Sequence, residues 1–167
     1  MRRAFRIAWL CVLLPCPAQA EFEIDLSAHG LLVDLAEWWG GGVDFELAAA
    51  WLPRPEFSLG LELGCMVPLR TGASDRQTEA AFRAIPELGL YFGNPESWGF
   101  VRLGAGIDGH LRAGSLSAAC ILTCTAGFCV APSSLPFHFG FELCGDLGVA
   151  GETVRCLGLG GFLGWRL

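Results

Sequence analysis

The chain has 167 residues, with 17 Asp and Glu against 11 basic residues, every one an arginine, for a formal charge of −6. An acidic balance with no basic stripe excludes a nucleic-acid partner, and the lack of lysine is foreign to a surface built for water. Mean hydropathy is +0.47, yet nothing beyond the first twenty residues approaches the roughly 18 consecutive apolar residues of a membrane helix.

The first twenty residues read as a secretory signal. Arg2, Arg3 and Arg6 form a positive start, residues 7–14 an apolar run too short to cross a bilayer, and Ala18-Gln19-Ala20 an A-x-A site, so cleavage is expected after Ala20. The twin-arginine pattern at Arg2-Arg3-Ala4-Phe5 is incomplete, and Pro15 before Cys16 does not suit a lipoprotein site. Losing Arg2, Arg3 and Arg6 from the 11 leaves 8 arginines against 17 acids, a charge of −9 for the mature residues 21–167, which form one domain in size.

From residue 21 the pattern has period two, as strand side chains do. Phe22, Ile24, Leu26 and Ala28 share one face, while Glu21, Glu23, Asp25, Ser27 and His29 share the other. Residues 34–42, with Trp38, Trp39 and three glycines, read as a loop. Val43, Phe45, Leu47, Ala49 and Trp51 then oppose Asp44, Glu46, Ala48 and Ala50 until Pro53-Arg54-Pro55, where proline's missing donor stops the ladder. A third run sets Phe57, Leu59, Leu61, Leu63, Cys65 and Val67 against Ser58, Gly60, Glu62 and Gly64. Residues 68–78 are the most polar connection.

Phe82, Ala84, Leu88, Leu90 and Phe92 next oppose Arg83, Ile85, Glu87 and Tyr91, and Gly93-Asn94-Pro95-Glu96 is a tight turn. Three further runs carry the same alternation: Val101 to Ile107 against Arg102 to Asp108; Leu116 to Val130 against Ser117 to Gly127; and Phe137 to Leu147 against His138, Gly140, Glu142, Cys144 and Asp146. The last sets Leu157, Leu159, Leu163, Trp165 and Leu167 against Gly158, Gly160, Gly164 and Arg166. Residues 112–115, 131–134 and 148–152 read as connections.

Eight amphipathic strands predict an all-β, eight-stranded antiparallel up-and-down transmembrane β-barrel, whose closure leaves no edge unpaired in lipid. A secreted lipocalin-like barrel has the same strand count with its apolar face inward. The missing lysine, a polar face rich in glycine, and apolar runs ending in Trp51, Phe92, Phe128 and Trp165, as interfacial girdles do, favour the membrane form.

The signal, the eight dyad-patterned segments and the closing CLGLGGFLGWRL resemble the small outer-membrane barrels of diderm bacteria, the OmpA transmembrane domain, OmpX and OmpW group. The resemblance covers all of residues 21–167 and rests on pattern. Family members usually end in an aromatic residue recognised by the assembly machinery, whereas this chain ends in Leu167, with Trp165 and Leu163 at the alternate positions. The resemblance implies an outer-membrane location, lipid around the barrel, and periplasmic chaperones and the barrel-assembly machinery as partners. It also places the turns at 53–55, 93–97 and 131–134 in the periplasm, and the loops near 34–42, 68–78, 112–115 and 148–152 outside, where they could meet an extracellular ligand.

An eight-stranded lumen is just wide enough for side chains to fill, and buried charges there need partners. The expected lumen charge network is Glu23, Glu46, Glu62, Arg83, Glu87, Arg102, Glu142 and Arg166, with Asp25, Asp44 and Asp146 also inward. A hairpin centred near Asn94 and Pro95 sets Glu87 opposite Arg102; one centred on Arg54 sets Glu46 opposite Glu62, a repulsive pair unless Arg83 bridges it; strand closure brings Arg166 to Glu23. The network reads foremost as a salt-bridged plug, with a narrow OmpW-like channel for ions or small hydrophobic solutes as the alternative.

No catalytic, cofactor or metal residues are expected. Asp25, Ser27 and His29 share a face, but on one strand residues two apart are separated by about 6.6 Å and four apart by about 13 Å, too far for a triad. His29 is expected to face Asp44 as a loop-end ion pair. A barrel-embedded lipid-modifying enzyme stands third, since His138-Phe139-Gly140 lacks the His-x-Ser of the barrel deacylases. Of six mature cysteines, Cys144 and Cys156 lie symmetrically about Ala150 and point inward, placed to be joined by a disulfide. Cys65, Cys120 and Cys124 fall on the apolar face as small hydrophobes, and the four-residue spacing of Cys120 and Cys124 does not suit zinc on a strand.

Overall fold

The computed structural model describes residues 21–35, 38–69, 79–112, 114–151 and 154–167. The expected signal, residues 1–20, and most of the polar connection at 68–78 lie outside the described residues. Eight strands follow one another: β1 (Glu21–Leu35), β2 (Trp38–Arg54), β3 (Phe57–Leu69), β4 (Ala80–Asn94), β5 (Ser97–Arg112), β6 (Ser115–Val130), β7 (Phe137–Gly151) and β8 (Val154–Arg166). Each pairs antiparallel with the next, and β8 closes on β1, giving the up-and-down barrel that the alternation predicts.

Three connections are shorter than expected. β1 reaches Leu35 and β2 begins at Trp38, and the two pair as far as these residues, so the three glycines belong to the ladder. Likewise β5 and β6 pair out to Arg112 and Ser115, and β7 reaches Gly151. Pro53 does not end β2, which continues to Arg54; the ladder instead shifts register between Trp51 and Arg54, as a residue without an N–H demands. The turn after β4 forms as expected, with the Asn94 side-chain oxygen accepting from the backbone N–H of Glu96 and of Ser97, both at 3.0 Å. Strands of 13 to 17 residues exceed the roughly 9–11 that a tilted strand needs to cross hydrocarbon.

The two faces are inverted relative to a protein that folds in water. Phe22, Leu61, Leu88, Leu103, Phe141 and Leu159 point outward and are exposed, while Glu23, Asp25, Asp44, Glu62, Asp108 and Glu142 point inward and are at most 5% exposed. A lipocalin-like arrangement is thereby overturned. Phe22, Phe92 and Phe128, with the half-buried Trp51 and Trp165, stand outward near the end that holds Glu21, Leu167 and the β2–β3, β4–β5 and β6–β7 turns. Inside, apolar side chains gather toward each end: Tyr91, Trp98, Phe100, Cys129 and Phe162 at the turn end, and Leu31, Met66, Ala81, Ile85, Ala119, Ile121, Cys144 and Cys156 toward the other. The charged groups lie among and between these layers.

Candidate functional site

Nine carboxylates are buried in the lumen among the described residues, facing the buried Arg83 and Arg102, the partly buried Arg166, and three buried histidines. Seven of these carboxylates organise around two centres.

The first lies toward the turn end. Glu23 on β1 pairs in register with Arg166 on β8, and the guanidinium holds the carboxylate at 2.6 Å through Nη2 and 3.1 Å through Nε, as strand closure predicts. Tyr91 donates to Glu23 at 3.2 Å. Asp25 takes a charge-assisted bond from Arg102 and a 2.8 Å bond from His138. Arg102 also lies 4.6 Å over the Phe100 ring and Arg166 4.5 Å over Trp98, so both cations have an aromatic face beneath them. Above Arg166 and Trp98 a recess of about 280 Å³ opens between Glu21, Tyr91 and the β2–β3 and β4–β5 turns.

The second centre lies deeper. Arg83 reaches from β4 across the lumen to Asp146 on β7 at 3.0 Å, and meets Asp44 at 2.9 Å, Glu46 at 3.4 Å and Glu62 at 3.9 Å. The expected bridging of Glu46 and Glu62 by Arg83 is therefore present. His29 sits between two carboxylates, with Nε2 2.9 Å from Glu142 and Nδ1 3.5 Å from Glu46, while the Ser27 hydroxyl donates to Glu46 at 3.1 Å.

Several expected pairings are displaced by two residues. Arg102 faces Gly89 rather than Glu87, which faces Gly104, and Glu46 faces Gly64 rather than Glu62, which faces Ala48. Cys144 faces Gly158 and Cys156 faces Asp146, so the two thiols are diagonal rather than opposed, and both are free. The cause is common: each turn sits about one residue later than its sequence centre suggests, as with Asn94 pairing to Ser97, and one residue of turn shift moves every partner by two. His29 does face Asp44 in register, but its ring turns to Glu142 and Glu46 and is fully buried, not a loop-end pair. Cys65, Cys120 and Cys124 are outward, as expected.

The links from His138 to Asp25 and from His29 to Glu142 join β7 to β1 across the intervening β8. They escaped the sequence reading, although a signal was present. Asp25 and His29 are four apart on β1, His138 and Glu142 four apart on β7, and β8 carries Gly160 and Gly164 at the same interval. Gly164 is the register partner of both Asp25 and His138, and Gly160 of both His29 and Glu142. A Cβ on Gly164 would overlap the Asp25 carboxylate and the His138 ring, and one on Gly160 the His29 ring. The glycine-rich face of β8 is the opening through which its neighbours reach each other.

No family model matches the chain, and no curated protein matches it in sequence. Solved structures do match in fold. The crystal structure of Neisserial surface protein A aligns with a TM-score of 0.69 at 11% identity, over 86% of this chain and 96% of that one. The N-terminal β-barrel domain of Pseudomonas aeruginosa OprF aligns with a TM-score of 0.63 at 15% identity, over 89% and 98%. Ail, the attachment invasion locus protein of Yersinia pestis, aligns with a TM-score of 0.56 at 14% identity, over 89% and 99%. These are small eight-stranded outer-membrane barrels, and the chain has the fold of that class.

Proposed function

We propose that the protein is an integral outer-membrane β-barrel with a structural or surface-exposed role, exported by a signal removed after Ala20 and holding a plugged lumen. One observation carries this reading: ion pairs span the barrel between non-adjacent strands, Arg83 from β4 to Asp146 on β7 and Arg102 from β5 to Asp25 on β1. Side chains that touch across the lumen leave no broad water path. The outward hydrocarbon face supports a lipid surround, since a soluble chain does not expose contiguous apolar surface on this scale. Periplasmic chaperones and the barrel-assembly machinery are the partners such a barrel needs, and an extracellular ligand would meet the loops. The role is non-enzymatic: the Ser27 hydroxyl donates to Glu46 rather than to His29, and Asp25 bonds His138 and Arg102, so the three form no nucleophile–base pair.

A second reading, a narrow cation path, is favoured by the surplus of carboxylates and by the Oδ1 atoms of Asp44, Asp108 and Asp146, buried without a hydrogen bond. Refolding residues 21–167 in detergent tests both. A band that migrates faster unboiled than boiled supports the closed membrane barrel, and folding in plain buffer would overturn it. In planar bilayers, no conductance supports the plug and sinks the channel; cation-selective current that falls in Glu62→Gln or Glu142→Gln would do the reverse.

A further inference from the structure

Among the described residues, two triads of potential metal ligands lie in the lumen, each with one nitrogen and two carboxylate oxygens within 4.8 Å of one another: Glu23, Asp25 and His138, and His29, Glu46 and Glu142. They differ in what already occupies them. In the first, Arg166 and Tyr91 bond Glu23, and Arg102 and His138 bond Asp25, so guanidinium groups stand where a cation would. In the second, Glu142 is met by His29, and Glu46 shares the single guanidinium of Arg83 with Asp44, Glu62 and Asp146. Among the described residues, the loop-facing half of the lumen therefore holds more carboxylates than cations. His29 is 1% exposed, and its Nδ1 makes no hydrogen bond although it lies 3.5 Å from a Glu46 oxygen. A buried imidazole nitrogen with no hydrogen bond, facing a carboxylate inside an anionic cluster, points to a missing ligand.

We propose that His29, Glu46 and Glu142 bind one transition-metal dication of the zinc class. One imidazole and two carboxylates form a donor set that zinc accepts, at about 2.0–2.2 Å per bond, with water completing the shell. Ligands on such an ion lie about 3.3–3.6 Å apart; His29 Nδ1 and Glu46 already stand at 3.5 Å, and the three donors, now within 4.8 Å of one another, close in on binding. The ion takes the unbonded Nδ1 while Nε2 keeps its proton, Glu142 turns from Nε2 to the metal, and the dication offsets the surplus of carboxylate charge. The Ser27 hydroxyl on Glu46 holds that ligand in place. Calcium and magnesium, which take oxygen ligands, would not choose the imidazole.

The test uses residues 21–167 refolded in detergent with zinc chloride or cobalt chloride and then desalted. About one metal ion per chain is expected, with affinity lowered at least about tenfold in His29→Gln and Glu142→Gln and unchanged in a Cys144→Ala/Cys156→Ala double variant. The cobalt form of the wild type should show d–d bands without thiolate-to-metal charge transfer, a readout that stands even where a ligand variant fails to refold. No retained metal, a thiolate band, or equal retention in a folded His29→Gln chain would each overturn the site.

Discussion

Asp25 on β1 and His138 on β7 share a 2.8 Å hydrogen bond although β8 runs between their strands. The bond exists because β8 presents Gly164 there, with no side chain to intervene. The same device recurs one step along, where Gly160 clears the way for His29 and Glu142. In both places a missing side chain converts a three-strand segment into one cross-linked unit, and the lumen network gains its order from residues that take no part in bonding.

Gly164→Ala is expected to push the Asp25 carboxylate and the His138 ring apart, since the added methyl falls on both. An overpacked, partly broken network should cost about 1–3 kcal/mol. Gly30→Ala on the outward face is the comparison, because its Cβ would meet nothing nearer than a backbone oxygen at 3.9 Å. Urea midpoints of the refolded variants measure the contrast. Equal midpoints would mean that the bond across β8 does not hold the lumen together.

The outward assignment is tested by placing a charge where hydrocarbon is expected. Leu61 lies mid-strand on β3, outward and 46% exposed, between Ala49 and Pro86. Leu61→Arg should destabilise the lipid-inserted barrel by about 2–4 kcal/mol, whereas Leu116→Arg near the loop end of β6 should cost about 0–1 kcal/mol. Reversible folding into lipid vesicles reads the difference. Were Leu61→Arg neutral, the apolar face would not be in lipid.

The alternation carried strand number, facing and the inward set, because period-two burial is a local property written into each segment. Even Arg166 meeting Glu23 and Arg83 bridging Glu46 and Glu62 could be read, since inward parity and sequential pairing suffice. What could not be read depends on exact turn position and on barrel closure. Asn94 pairing with Ser97 rather than with Pro95 moved Arg102 from Glu87 to Gly89, and Ala119 pairing with Gly151 lengthened β7 past its apparent end. The contact between His29 and Glu142 needs the curvature that brings β1 and β7 together over β8, and no single hairpin contains it.

Cys144 and Cys156 illustrate the consequence for covalent chemistry. Each faces a residue other than its partner, Gly158 and Asp146 respectively. Diagonal neighbours lie farther apart than the roughly 3.5–4.5 Å between Cβ atoms that a disulfide requires. The oxidatively refolded chain should therefore alkylate at all six cysteines once denatured without reductant, and its mass should match the reduced and alkylated chain. A mass lower by two alkyl groups would show that the β7–β8 register slips to oppose the thiols.

Arg83 is the most consequential single cation in the lumen. Its guanidinium is buried and stands within 4 Å of Asp44, Glu46, Glu62 and Asp146, from three different strands. Arg83→Met keeps much of the side-chain volume but leaves those carboxylates without their shared counter-charge, an expected loss of about 3–5 kcal/mol. Arg83→Lys should lose less, because charge is retained while a point ammonium cannot fork between Asp44 and Asp146. Adding Asp146→Asn to Arg83→Met should then recover stability, since the removed charge no longer needs a partner; the non-additivity in the cycle measures the link across the lumen. Unfolding midpoints of the four proteins decide it. Additive effects would mean that β4 and β7 are not joined through Arg83, and the plug would lose the contact on which it rests.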